Sequence, residues 1–217
     1  MGLTYVIEHM EEDEATPNSL PPWVELEYTH MKMLAGASAR VLFTNLSQRS
    51  CASLREKLAS LSGPVASHGV YTQSILEILK NQEISLSQVC LLDPKAERKL
   101  EPEDGLEFEW FIFGGILGDD PPRDRTSQLR QLGFPTRHLG PVQMTTDTAL
   151  GVTKRVIHDK VSLEEIPYVT FPTIKFNARE SVEMPFKYIA DRPGGEPLLP
   201  PGMKELLYED LNKGFDF

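Results

Sequence analysis

FGGILGDDPPRDRTSQLRQLGFPTRHLGPVQMTTDTA, residues Phe113 to Ala149, is the stretch whose reading decides the fold of this chain. It contains two loops of unusual composition, each following a short apolar run. The first is Gly114-Gly115-Ile116-Leu117-Gly118-Asp119-Asp120-Pro121-Pro122, and the second is Leu139-Gly140-Pro141-Val142-Gln143-Met144-Thr145-Thr146-Asp147. Glycine lets backbone approach a ligand or take positive φ, and proline fixes a turn. Two such loops about 25 residues apart, each leading into a helical pattern, read as the rim of a small-molecule pocket at the ends of parallel strands.

Outward from this stretch, apolar runs and helical spacings alternate. Thr4–Ile7, Val41–Phe43, Val89–Leu92, Phe108–Phe113 and Thr136–Leu139 read as strands. Pro22 suits the first turn of a helix carrying Trp23, Leu26, His30, Met33 and Leu34 at helical spacing. Leu54, Leu58 and Leu61 mark a second helix, stopped by Gly63-Pro64, and Ile75, Ile78 and Leu79 mark a third. Arg123 to Leu132 and Thr146 to Val161 supply two more. The expected class is α/β, a mostly parallel sheet of about five strands with helices on both faces. Residues 1–161 form that domain. Residues 162–217 are rich in proline and aromatics and predict an extension wrapped on the same domain, ending in a short helix near Lys204–Leu211.

Length and composition bound the function. A chain of 217 residues can bury a core without disulfides or metals. No apolar run reaches the roughly 18 residues of a membrane span. The N-terminus turns acidic at once, unlike a secretory signal, and Val6 stands where a myristoylation motif needs Ser or Thr. The two cysteines show no zinc spacing, and the five histidines show no metal spacing. These features predict a cytoplasmic protein with no metal. A net charge of −10 argues against a stable nucleic-acid complex and suits a cationic partner.

The chemistry-bearing segments allow few classes. The glycines of FGGILGD run G-G-x-x-G, with Asp-Asp-Pro-Pro where a dinucleotide site needs a helix, so that site is rejected. Thr145, Thr146 or Asp147 is expected to cap the following helix, leaving the other hydroxyls to face a ligand. No nucleophile elbow is present.

Eight stretches together carry a family likeness: IEHMEE (Ile7–Glu12), WVELEY (Trp23–Tyr28), VCLLDP (Val89–Pro94), LEPED (Leu100–Asp104), FGGILGDDPPRDRT (Phe113–Thr126), RHLG (Arg137–Gly140), QMTTDTA (Gln143–Ala149) and EMPFKY (Glu183–Tyr188). With them the chain resembles the SPOUT-class methyltransferases. Within that class it resembles the branch whose yeast representative methylates arginine in a small-subunit ribosomal protein. The resemblance implies a trefoil knot around residues 110–150 and S-adenosylmethionine as cofactor. It implies cofactor loops containing Leu92, Asp93, Gly114, Gly115, Ile116, Gly118, Leu139, Gly140, Met144, Thr145 and Thr148.

Arginine is a hard acceptor because its guanidinium stays protonated near neutral pH. A carboxylate must orient it and take a proton. Among acidic residues in the matching stretches, Asp119 and Glu8 are the candidate catalytic residues. Glu11, Asp120, Asp124, Glu183, Phe186 and Tyr188 are candidates for holding a basic protein substrate, by charge or by stacking on a guanidinium. A monomer is favoured over a knot-mediated homodimer. The alternative is an RNA methyltransferase, the class's usual trade, for which Lys154, Arg155, Lys160, Arg123 and Arg125 would supply a basic patch.

Overall fold

The computed structural model describes residues 2–10, 20–114, 124 and 126–213. Six parallel strands build the central sheet: β1 (Thr4–Glu8), β2 (Arg40–Thr44), β3 (Ser67–Val70), β4 (Val89–Leu92), β5 (Trp110–Gly114) and β6 (Thr136–Arg137). Their spatial order is β3-β2-β1-β5-β4-β6. Every pairing is parallel, with Ile7 opposite Phe43 on one side and Phe113 on the other. Buried on both faces, β1, β2, β4 and β5 are near-continuous apolar runs rather than alternating ones.

Strand alternation divides the core. Tyr5, Ile7, Phe43, Leu92, Phe111 and Phe113 face one way. They pack against α1 (Pro22–Ala35), α2 (Gln48–Ala59) and α5 (Thr146–Ile157). Val6, Leu42, Leu91 and Ile112 face the other way, toward α3 (Ile75–Asn81) and Leu129 of α4 (Ser127–Arg130). Burying one such aromatic or aliphatic side chain stabilises the fold by roughly 1.5–3 kcal/mol. The expected helices on both faces are therefore present.

The helix starts follow local chemistry. Pro22 opens α1, where a missing N–H costs nothing. Ser74 and Glu77 close a capping box on α3, and Ser47 caps α2. The sheet differs from expectation in gaining β3, whose sequence SHGV has no apolar alternation. It pairs only with β2 at the sheet edge, so its conformation comes from its neighbour. Helix α4 is shorter than the expected Arg123–Leu132, and Gly133 at φ 83° follows the turn that ends it.

The C-terminal part contains β7 (Tyr168–Thr170), β8 (Thr173–Lys175), β9 (Ser181–Glu183), β10 (Lys187–Ile189) and α6 (Met203–Lys213). These strands make two small antiparallel pairs, β7 with β10 and β8 with β9. Leu163, Ile166 and Ile189 join the same buried cluster as α1, α2 and α5. Among the described residues, no helix is long and apolar enough to cross a membrane.

Candidate functional site

A cavity of about 340 Å³ opens at the carboxyl ends of β4 and β5, against the loop that follows β6. Leu92, Phe113, Leu139, Val142, Met144 and Ala149 give it apolar walls. Ligands of parallel sheets bind outside these strand ends, where loops diverge. A second cavity, about 540 Å³, lies at the opposite end near Gly2, Arg40, Ser67 and Glu109, away from the glycine-rich loops.

The loop after β6 is held firmly. His138 Nδ1 accepts the Gly140 N–H at 3.0 Å. Gly140 has φ 108°, and no atom of the described residues lies within 4 Å of where a Cβ would stand. Only glycine takes that conformation without strain, and among the described residues the space beside it is free. From the C-terminal part, Lys187 donates its N–H to the Gln143 carbonyl at 2.9 Å, and Met144 bridges to Lys187.

The N-terminus of α5 forms one side of the cavity. Thr145 is its N-cap residue, yet its hydroxyl donates to Thr148 Oγ1 at 2.8 Å and makes no cap. The expected self-capping is corrected: the Glu27 carboxylate of α1 accepts the Thr146 and Asp147 amides instead. Burial and the nearby Asp147 charge push the Glu27 carboxyl well above the usual range, and those two amides oppose the shift. Asp147 Oδ2 also meets His30 Nδ1 at 2.7 Å. Thr146 lines the cavity, and its buried hydroxyl has no partner among the described residues.

A chain of ion pairs closes the rim. Arg130 grips Asp93 with two nitrogens, Nε at 2.5 Å and Nη2 at 2.7 Å. Arg130 also reaches Asp124 at 3.2 Å, and Lys95 Nζ lies 2.6 Å from the same carboxylate. Those two cations pull the Asp124 carboxyl down to about 2.

Of the expected cofactor residues, Leu92, Asp93, Gly114, Leu139, Gly140 and Met144 line the cavity together. Thr145 and Thr148 do not; they are buried and bonded to each other, and the threonine that lines the cavity is Thr146. Gly115, Ile116, Gly118, Asp119, Asp120 and Glu11 lie outside the described residues, as does the chain path through 115–123 that a knot requires.

Glu8 has another task. Its carboxylate accepts from the Thr44 hydroxyl and from the Ile75 amide at 2.9 Å, which tethers β1 to the start of α3. Burial raises its carboxyl, and these two donors oppose the rise. It does not line the cavity.

Asp124, expected to bind a cationic substrate, already serves two internal cations. Phe186 and Tyr188 are buried, so neither ring presents a face for a substrate guanidinium to stack on. Glu183 is exposed on β9. Sequence reasoning missed Arg130, Lys95 and Ala149 as lining residues. Their arrival depends on how α4 and α5 dock, which only the helical periodicity around Leu129 and Leu150 hinted at. Among the described residues no cluster of His, Cys, Asp and Glu suits a metal.

Comparison with known proteins gives this geometry a context. A family model described as "Protein arginine N-methyltransferase SFM1-like" matches residues 4–214. Protein arginine N-methyltransferase SFM1 of Saccharomyces cerevisiae is 38% identical over 219 residues, covering 99% of this chain and 98% of the yeast protein. The crystal structure of the yeast arginine methyltransferase SFM1 complexed with SAM superposes with a TM-score of 0.81 at 37% identity. It covers 97% of this chain and 92% of the yeast one. A dual specific Trm10 from Thermococcus kodakaraensis shares the fold at 20% identity, with a TM-score of 0.51 over 76% of this chain and 96% of its own.

Proposed function

The chain belongs to the SFM1-like protein arginine N-methyltransferase family, and from that premise we propose that it transfers a methyl group from S-adenosylmethionine to an arginine of a basic protein. The observation that carries this reading is the cavity itself. It is largely apolar, lies at parallel strand ends and, among the described residues, keeps open space beside Gly140. These features fit the cofactor, whose adenine ring is flat and largely apolar, whose ribose offers hydroxyls and whose methionine part carries a charged amino and carboxylate group. Leu92, Leu139, Val142 and Met144 would enclose the adenine, and Gly140 would let backbone approach.

The cofactor's chemistry is an electrophilic methyl group on a sulfonium. What the protein must add is alignment, water exclusion and a proton acceptor. The loop bearing Gly140 to Met144 is braced by His138 on one side and Lys187 on the other, which suits the first task. For the last we retain Asp119, which closes the segment FGGILGD that begins in β5. A carboxylate there would orient the guanidinium through charge-assisted hydrogen bonds and take its proton as the new C–N bond forms. The knot around residues 110–150 belongs to the same reading, with residues 162–217 as its extension.

A net charge of −10 favours a cationic protein segment over RNA as the partner. A small-subunit ribosomal protein, met in the cytoplasm by a monomeric enzyme, is the partner this reading expects. The test is incubation with labelled cofactor and ribosomal extract. Label in methylarginine that protease releases and ribonuclease leaves alone is expected; label lost to ribonuclease would overturn the reading in favour of RNA.

A further inference from the structure

Three of the stretches that carry the family likeness meet at a place the proposed chemistry does not use. Glu27 of WVELEY, Thr146 and Asp147 of QMTTDTA, and Tyr188 of EMPFKY converge beneath the start of α5. All four are buried. Each also keeps an oxygen with no partner among the described residues: Glu27 Oε2, Thr146 Oγ1, Asp147 Oδ1 and the Tyr188 hydroxyl. Burying so many unpaired polar atoms is costly, and a core built for stability alone would replace them with hydrocarbon.

The geometry has a direction. The Glu27 carboxylate takes the amides of Thr146 and Asp147, the first two of α5, while His30, one turn further along α1, holds the Asp147 side chain at 2.7 Å. Thr145, which would ordinarily cap the helix, is turned away to Thr148. The start of α5 is therefore fixed from α1 rather than by its own residues. Thr146, the first residue of α5, lines the cavity, and just before it residues 139–144 do the same.

We propose that Glu27 is a positioning residue for the cofactor: by gripping the first two amides of α5 it sets where the start of that helix and the Gly140–Met144 loop before it stand. It touches no ligand itself. The inference rests on the cofactor reading above and extends it to a residue outside the cavity.

The test uses full-length Glu27→Gln, Glu27→Asp and Glu27→Ala proteins, titrated calorimetrically with S-adenosylhomocysteine, with thermal melts alongside. Glutamine keeps an acceptor oxygen at the same reach, aspartate withdraws it by one methylene, and alanine removes it. Glu27→Gln is expected to bind within about twofold of the parent, and Glu27→Asp and Glu27→Ala roughly tenfold more weakly, since a small misplacement of a positioned group carries such penalties. Ser74→Ala, which removes the cap of α3 far from the cavity, should lower the melting temperature yet leave affinity unchanged. Should Glu27→Ala fail to fold, the Gln and Asp pair still decides. Equal affinity in Gln, Asp and parent proteins overturns the inference, and so does an affinity loss that follows melting temperature equally in Ser74→Ala. A parent protein that binds no S-adenosylhomocysteine overturns the cofactor reading itself, and this inference with it.

Discussion

Lys187 donates its backbone N–H to the Gln143 carbonyl at 2.9 Å, and so ties β10 to the middle of the cavity's long loop. The same residue places its ammonium 3.6 Å from the Tyr168 ring centroid, joining β10 to β7 through side chains as well as through the strand pairing. The C-terminal part thus reaches the cavity through backbone, and side-chain substitutions at Lys187 leave that link in place.

Lys187→Pro deletes this N–H without cutting the chain. A hydrogen bond of this kind contributes about 0.5–1.5 kcal/mol, so S-adenosylhomocysteine affinity should fall about two- to tenfold. Lys187→Ala keeps the N–H and loses only the ring contact, so its affinity should match the parent. Calorimetric titration of both separates the backbone tie from the side chain. Equal losses in the two would show that the tie does not govern the loop.

Gly140→Val should abolish cofactor binding and leave the protein folded. At φ 108° a side chain is strained by about 1–2 kcal/mol, which lowers the melting temperature by about 2–8 °C for a chain of this size. The larger effect is local. The space beside Gly140 is open to the cavity, so a branched side chain enters the room a ligand needs. Circular dichroism and calorimetry together check it: retained binding in a folded Gly140→Val protein would place the ligand elsewhere.

Asp119→Asn tests the proton acceptor. If the carboxylate orients the guanidinium and takes its proton, kcat should drop about 10²- to 10⁴-fold with little change in cofactor affinity. Equal losses in kcat and affinity would assign Asp119 to cofactor binding. Single-turnover kinetics with a basic protein substrate distinguishes the two.

The central sheet is legible in the sequence because its strands are buried on both faces and announce themselves as uninterrupted apolar runs such as Trp110–Phe113. β3 is not, because SHGV borrows its extended shape from β2. At the site, the loop from Leu139 to Asp147 is legible as a pocket rim from its glycine and proline, while Leu139, Gly140 and Met144 as cofactor residues come from the resemblance. The threonines mislead for a physical reason. Sequence shows that QMTTDTA must start a helix, but not that Glu27, more than a hundred positions earlier, takes over the capping. Once that duty is lifted, Thr145 turns to Thr148, and Thr146 is left as the threonine of the cavity lining. Asp124 misleads likewise: its partners Lys95 and Arg130 come from separate elements, and only folding neutralises it.

Glu27 also predicts how stability changes with pH. The groups that face it are Asp147 and the two amides from α5, His30 beside Asp147 on its own helix, and Tyr188 from β10. Burial and the Asp147 charge raise its folded-state carboxyl above the value of about 4.3 found in an unfolded chain. The folded state therefore binds the Glu27 proton more tightly than the unfolded state does. That contribution is fully present below the unfolded value and is lost as pH rises through the folded one. Glutamine imitates the protonated acid at all pH values, so Glu27→Gln should escape the loss. The variant and parent should melt at similar temperatures near about pH 4, and the variant should lead by a widening margin toward about pH 9, since each unit of upward shift costs the parent about 1.4 kcal/mol there. In a protein of this length that is about 3–6 °C per unit. Thermal melts across that range give the answer: curves that stay parallel from acid to alkali would mean Glu27 is held as a carboxylate, with its charge compensated inside the fold.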